Sequence, residues 1–247
     1  MKNKSIFVIN NWLIDKNKTF FFFALLLGVL PSVFSGQNGV DFSKKFLSII
    51  TAPFSNMIFF VCIVLLVLFV TSKFSFNQMF FTRYRNSKDL VLPGVKSVIW
   101  CVLILYIGYI FMAMSGAILS SSFTFENLFL TYEPTGTSIL VYLIIRIIKN
   151  LIIYMLIATV LFLGNLLVRN RLLKCFLGII FLLCYFIPEH FVGSAFLLSY
   201  QLLSLDYVSL FNEIIDFSYG LIFLLIIIVF LYFKLLKMKR YDYESSI

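Results

Sequence analysis

Few residues in this chain could do covalent chemistry. The one histidine, His190, follows Glu189, and the two could act as an acid/base pair. They stand directly after Pro188 at the end of an apolar run. A pair of solvated residues at a membrane interface is the plainer account. A single histidine excludes HExxH and multi-histidine metal sites. No Gly-Lys dipeptide occurs, so the chain cannot form a phosphate-binding P-loop. Gly193-Ser194 stands alone, without the GxSxG pattern of a nucleophile elbow. Cys62, Cys101, Cys175 and Cys184 lie in or near apolar runs and form no CxxC pair. Neither a disulfide frame nor a zinc site is indicated. The sequence therefore assigns the chain no catalytic residue, no metal and no cofactor of its own.

The chemistry that remains is electrostatic, and it sits in two places. The first is the stretch 73–96, KFSFNQMFFTRYRNSKDLVLPGVK, with Lys73, Arg83, Arg85, Lys88 and Lys96 against one acid, Asp89. Met79, Phe80, Phe81 and Tyr84 could enter a groove of a soluble partner while Arg83, Arg85 and Lys88 pair with its acids. The alternative is that these cations bind anionic headgroups. The second place is the quartet Tyr142, Arg146, Lys149 and Asn150. Its spacings of three and four put all four residues on one helical face.

The elements that hold these residues must be membrane helices. Of 247 residues, 62% are apolar and only 13% charged, about half the charged share of a soluble domain. Mean hydropathy is +1.02. No water-soluble core hides that much apolar surface, so the bilayer is the solvent for most of it. The net charge of +9 does not point to nucleic acid. The cations cluster at the edges of apolar runs, as membrane anchors do.

Residues 1–18 read as an amphipathic helix in the headgroup region with Trp12 at the interface, or as a tail; a signal peptide is a further reading of the lead and first run. Six spans follow: 19–35, 54–72, 97–119, 150–168, 172–188 and 218–234. Asp41, Lys44 and Lys45 fall in a polar outer loop. Pro93-Gly94 is expected to break the helix between the basic stretch and the third span. Residues 138–168 are too long for one upright span. As helix they would measure about 46 Å against a hydrocarbon core of about 30 Å. Arg146 and Lys149 would each cost roughly 2.5–3.5 kcal/mol at mid-bilayer. The span is therefore expected to begin near Asn150, with 138–149 interfacial or re-entrant. Residues 189–217 are expected to form a second outer segment with one or two short helices. The spans so drawn are nearly free of ionisable groups, which argues against catalysis or a proton relay.

Charge sets the orientation. Basic residues number four in the N-terminal lead, five in the central stretch, three in the turn at 169–174 and four in the C-terminal tail. The outer side holds Lys44, Lys45, Arg146 and Lys149. By the positive-inside rule both termini are cytoplasmic. The expected fold is an all-α, six-span membrane domain covering 1–247.

This layout resembles an ABC-2-type permease, the membrane subunit of an ATP-binding-cassette transporter. The likeness covers nearly the whole chain: an amphipathic lead, six spans, a basic loop between spans two and three, and outer helices before span six. Locally, Phe81-Thr82-Arg83-Tyr84-Arg85-Asn86-Ser87-Lys88, with Lys96 opening a span, is similar to the RY-x-x-S-[RK] pattern of small bacterial permeases. Asp89-Leu90 and Pro93-Gly94 depart from the aromatic and unbroken helix often seen there. The resemblance implies two permease copies, or one with a paralogue, forming the pore, and two ATPase subunits carrying ATP and Mg beneath. It implies that Arg83, Tyr84, Arg85, Ser87 and Lys88 form the ATPase-coupling helix. Among such permeases the chain looks similar to exporters of amphipathic or antimicrobial peptides, the phenol-soluble modulin exporters among them, in a bacterial cytoplasmic membrane. Arg146 and Lys149 would then line an outer substrate path, or simply pair with headgroups or with Glu126 and Glu133. The competing reading from another class is a stand-alone immunity or assembly factor without transport activity.

Overall fold

A computed structural model describes residues 26, 42–51, 53–76, 87–121, 131–132, 137–168, 173–174, 176, 178–179 and 210–237. These residues are almost wholly helical. The elements are α1 (Phe42–Thr51), α2 (Pro53–Phe76), α3 (Ser87–Ser120), α4 (Ile139–Leu167) and α5 (Leu210–Lys237). Between α3 and α4, two-residue strands β1 (Thr131–Tyr132) and β2 (Thr137–Ser138) pair antiparallel, with Thr131 opposite Ser138. This clip runs straight into α4, where Ser138 caps the helix by accepting a hydrogen bond from the Val141 amide at 3.4 Å.

Three helices are long and apolar enough to cross a membrane: Val91–Ser120 in α3, Leu140–Leu167 in α4 and Phe217–Leu236 in α5. A fourth crossing is available if α1 and α2 count as one span bent by 46° where they meet. The chain is thus a helical membrane protein. Of the six expected spans, the second, third, fourth and sixth fall on α2 to α5. The first, apart from Leu26, and most of the fifth lie outside the described residues, as does the N-terminal lead.

The helix α4 is the hub, packing against α1, α2, α3 and α5. Its Ile153, Ile157, Ala158, Leu161 and Phe162 are buried. The hydroxyl of Tyr106 on α3 donates to the Ile147 carbonyl on α4 at 3.0 Å, and Gly94 on α3 faces Phe162. Residues advance along α3 as they recede along α4, so the two run antiparallel. By contrast, α5 sits at the margin, with Ile222, Ile226, Val229, Phe230 and Phe233 exposed. Trp100, Ile107, Phe111, Met114 and Ile118 form a similar exposed stripe on α3. In a bilayer such faces meet lipid and need no protein cover.

The structure departs from the sequence reading in four places. Residues 42–51 are helix, not loop. Phe42, Phe46, Leu47, Ile49 and Ile50 are spaced for one buried helical face, and that face holds α1 in the bundle although Lys44 and Lys45 make it look polar. Pro93 does not end a helix; it lies inside α3. The Pro93 carbonyl accepts from the Ser97 hydroxyl at 2.9 Å, and Gly94 lets the backbone approach the Phe162 ring, with which a Cβ there would collide. No split occurs at Asn150, because α4 is one helix of 29 residues. Its Arg146 and Lys149 are buried in the bundle instead of facing lipid. Finally, Leu210–Phe217 continues α5 instead of belonging to a separate outer segment.

Candidate functional site

One row of polar residues lies along a face of α4. Tyr142, Arg146, Lys149 and Asn150 are all buried, as their spacing predicts, and Tyr154 extends the row by one turn. Arg146 is 0% exposed and Lys149 5%. A 29-residue helix is about 43 Å long. Upright and centred in a core of about 30 Å, it would place Arg146 roughly 4 Å and Lys149 roughly 8 Å inside one boundary. Tyr154 would lie near the midplane. So placed, the row would be a polar track from one edge of the hydrocarbon to its centre.

Three other helices enclose the track. From α3 come Tyr106, whose hydroxyl holds the Ile147 carbonyl, and Tyr109, whose hydroxyl reaches the Ile49 carbonyl on α1 at 3.4 Å. Ile49 lies in the last turn of α1, where carbonyls lack helical partners, so the tyrosine supplies one across the bundle. From α2 comes Asn56, fully buried, whose Oδ1 accepts from the Tyr154 hydroxyl at 3.1 Å. Phe59, one turn further on, fills the space between three tyrosines. Its ring centroid lies 5.6 Å from Tyr106, 5.1 Å from Tyr109 and 4.6 Å from Tyr154. On α1, Lys45 is also buried, 3% exposed. Arg146 lies within electrostatic reach of the Tyr106 phenol.

Two amide atoms in this layer have no hydrogen-bond partner: Asn56 Nδ2, a donor, and Asn150 Oδ1, an acceptor. A third, Asn165 Oδ1, lies further along α4. Each such atom costs about 1–3 kcal/mol if left dry. The charged side chains buried among the described residues, Lys45, Arg146 and Lys149, are all cationic. Each of the three has further contacts within the chain. No group of acidic, histidine and cysteine side chains among the described residues could hold a metal ion.

Of the residues singled out from sequence, Arg146 and Lys149 come together with Tyr142 and Asn150. Ser87 and Lys88 open α3. Arg83, Tyr84 and Arg85 lie outside the described residues, as do Met79, Phe80, Phe81, Glu189 and His190. Sequence reasoning missed Lys45, Asn56, Tyr106, Tyr109 and Tyr154. Two signals for them were present. Asn56 is the one amide in the apolar run 54–71, and Tyr154 stands four residues after Asn150. No family model, curated protein or solved structure matches the chain.

Proposed function

We propose that this chain is the membrane-spanning permease subunit of an ATP-binding-cassette exporter. It would move an amphipathic or antimicrobial-type peptide across or out of a bacterial cytoplasmic membrane. The observation that carries the reading is the buried polar track on α4. Cations kept inside an apolar bundle mark the route of a substrate more often than a structural prop. The basic residues at 169–174 follow the C-terminal end of α4, so the positive-inside rule turns the Arg146 end outward. Arg146 and Lys149 then line the outer part of the path.

The chain has no P-loop, so the work must come from a separate ATPase that binds ATP and Mg. Six spans with both termini inside, two permease copies or a pair with a paralogue, and a coupling helix at Arg83, Tyr84, Arg85, Ser87 and Lys88 complete the proposal. The test is affinity purification of the chain from its native membrane in mild detergent, with mass spectrometry of what accompanies it. The native chain should bring down an ATPase, and a variant with Arg83→Glu, Arg85→Glu and Lys88→Glu should lose it. Absence of any ATPase from both samples would overturn the reading in favour of a stand-alone immunity or assembly factor.

A further inference from the structure

We infer that the exposed face of α5 is a binding site for one anionic phospholipid of the cytoplasmic leaflet, with an acyl chain in an apolar groove and the phosphate on two lysines. Side chains four residues apart form ridges along a helix, with a groove between neighbouring ridges. On α5 one ridge is Ile222, Ile226 and Phe230, and the next is Leu225, Val229 and Phe233. All six are exposed, and together they line an open groove of about 500 Å³. Each ridge ends in a cation. Lys234 follows Phe230 by four residues and Lys237 follows Phe233 by four, so both positions lie at the same end of the groove. Lys234 is exposed. Lys239 and Arg240 come next in sequence.

Length and charge select the occupant. From Ile222 to Phe233 the groove runs about 17 Å, close to the half-thickness of about 15 Å that the acyl chains of one leaflet fill. A groove lined only by apolar residues suits such a chain, and the headgroup of the same lipid then reaches the lysines. Cations clustered directly beyond a membrane helix attract anionic headgroups, and each is worth about fivefold in lipid partition. By the positive-inside rule this end of α5 faces the cytoplasm. A second copy of the chain fits the face less well. A two-fold axis along the membrane normal would bring the same patch of both copies together, setting Lys234 and Lys237 against their own counterparts. Close helix pairs in lipid also favour small residues, whereas the ridges here carry Phe230 and Phe233. The inference needs neither transport nor an ATPase.

The test uses the purified full chain in phosphatidylcholine nanodiscs with no ATPase present, so its outcome is independent of the affinity purification above. Trp12→Phe, Trp100→Phe and Phe230→Trp together leave a single tryptophan, on a ridge of the groove. A minor fraction of the lipid is replaced by phosphatidylglycerol with brominated acyl chains or, in a parallel sample, by phosphatidylcholine so labelled. The anionic lipid should quench the fluorescence about fivefold more strongly. Adding Lys234→Gln and Lys237→Gln should remove that difference. The control carries Trp12→Phe alone, so that Trp100 is the one tryptophan. Trp100 is exposed on α3, one turn from a single lysine, Lys96, and the two lipids should quench it alike. Equal quenching at position 230, or a preference that survives loss of both lysines, overturns the site. A preference as strong at Trp100 shows only a general enrichment of anionic lipid around the chain and overturns the groove. Weak quenching by both lipids at position 230 but not at Trp100 means that protein, such as a second copy, covers the face, and this too overturns the site.

Discussion

The bond from Tyr154 to Asn56 joins two helices by side chains alone, and it shows how a single polar contact behaves in this bundle. Lipid gives helices no hydrophobic reason to associate, so packing and interhelical hydrogen bonds must hold them. Removing the phenol oxygen with Tyr154→Phe leaves both amide atoms of Asn56 without partners. The expected loss is about 1–2 kcal/mol, read from denaturant unfolding in detergent. Adding Asn56→Leu to that variant should recover part of the loss, because two matched apolar groups leave nothing unsatisfied. Strict additivity of the two substitutions would show that the bond carries no stability. Tyr109→Phe should cost less, since its contact with the Ile49 carbonyl is long at 3.4 Å. At this scale the sequence was half legible. The face Tyr142, Arg146, Lys149 and Asn150 follows from spacing within one helix. Asn56 and Tyr106 join it from other helices, and spacing within a helix says nothing about which faces meet.

Among the elements, α3 and α4 depend on a backbone approach that no side-chain count reveals. Pro93-Gly94 has the composition of a helix break, yet both residues lie inside α3, and Gly94 makes room for the Phe162 ring. Gly94→Leu should push α3 from α4 and cost about 1–3 kcal/mol. Combining it with Phe162→Ala should restore part of that, because the ring is what the new side chain meets. A Gly94→Leu chain as stable as the native one would remove the close approach as a feature of the fold. Local propensity misled here because proline is costly in a helix interior and tertiary packing outweighed that cost. The same imbalance hid α1. Its two lysines suggested a loop, while its buried face of Phe42, Phe46, Ile49 and Ile50 matters more to the bundle. The long apolar runs behind α2 to α5 were legible because length and composition alone decide whether a helix can span.

For the molecule as a whole, the question that orders the rest is how α4 lies in the membrane. Two costs competed in the sequence. One was a helix longer than the bilayer core; the other was a pair of cations within it. Starting the span at Asn150 would have removed both. The structure keeps the helix whole and hides the cations among α1, α2 and α3, a solution available only once those faces are known to converge. The two arrangements differ in what water can reach. In a chain whose four cysteines are replaced by serine, Ser138→Cys should react with a membrane-impermeant maleimide added outside intact cells. Val168→Cys, at the far end of α4, should react only after the inner face is opened. Between them, Arg146→Cys and Lys149→Cys should resist the reagent from either side, because both positions are buried in the bundle. Rapid outside labelling at 146 and 149 as well as at 138 would return 138–149 to the membrane surface. It would also dissolve the track on which the transport reading rests. If the proposed ATPase exists, slow labelling at 146 and 149 that accelerates only when it is coexpressed in active form would place the same residues on a path that opens outward under load.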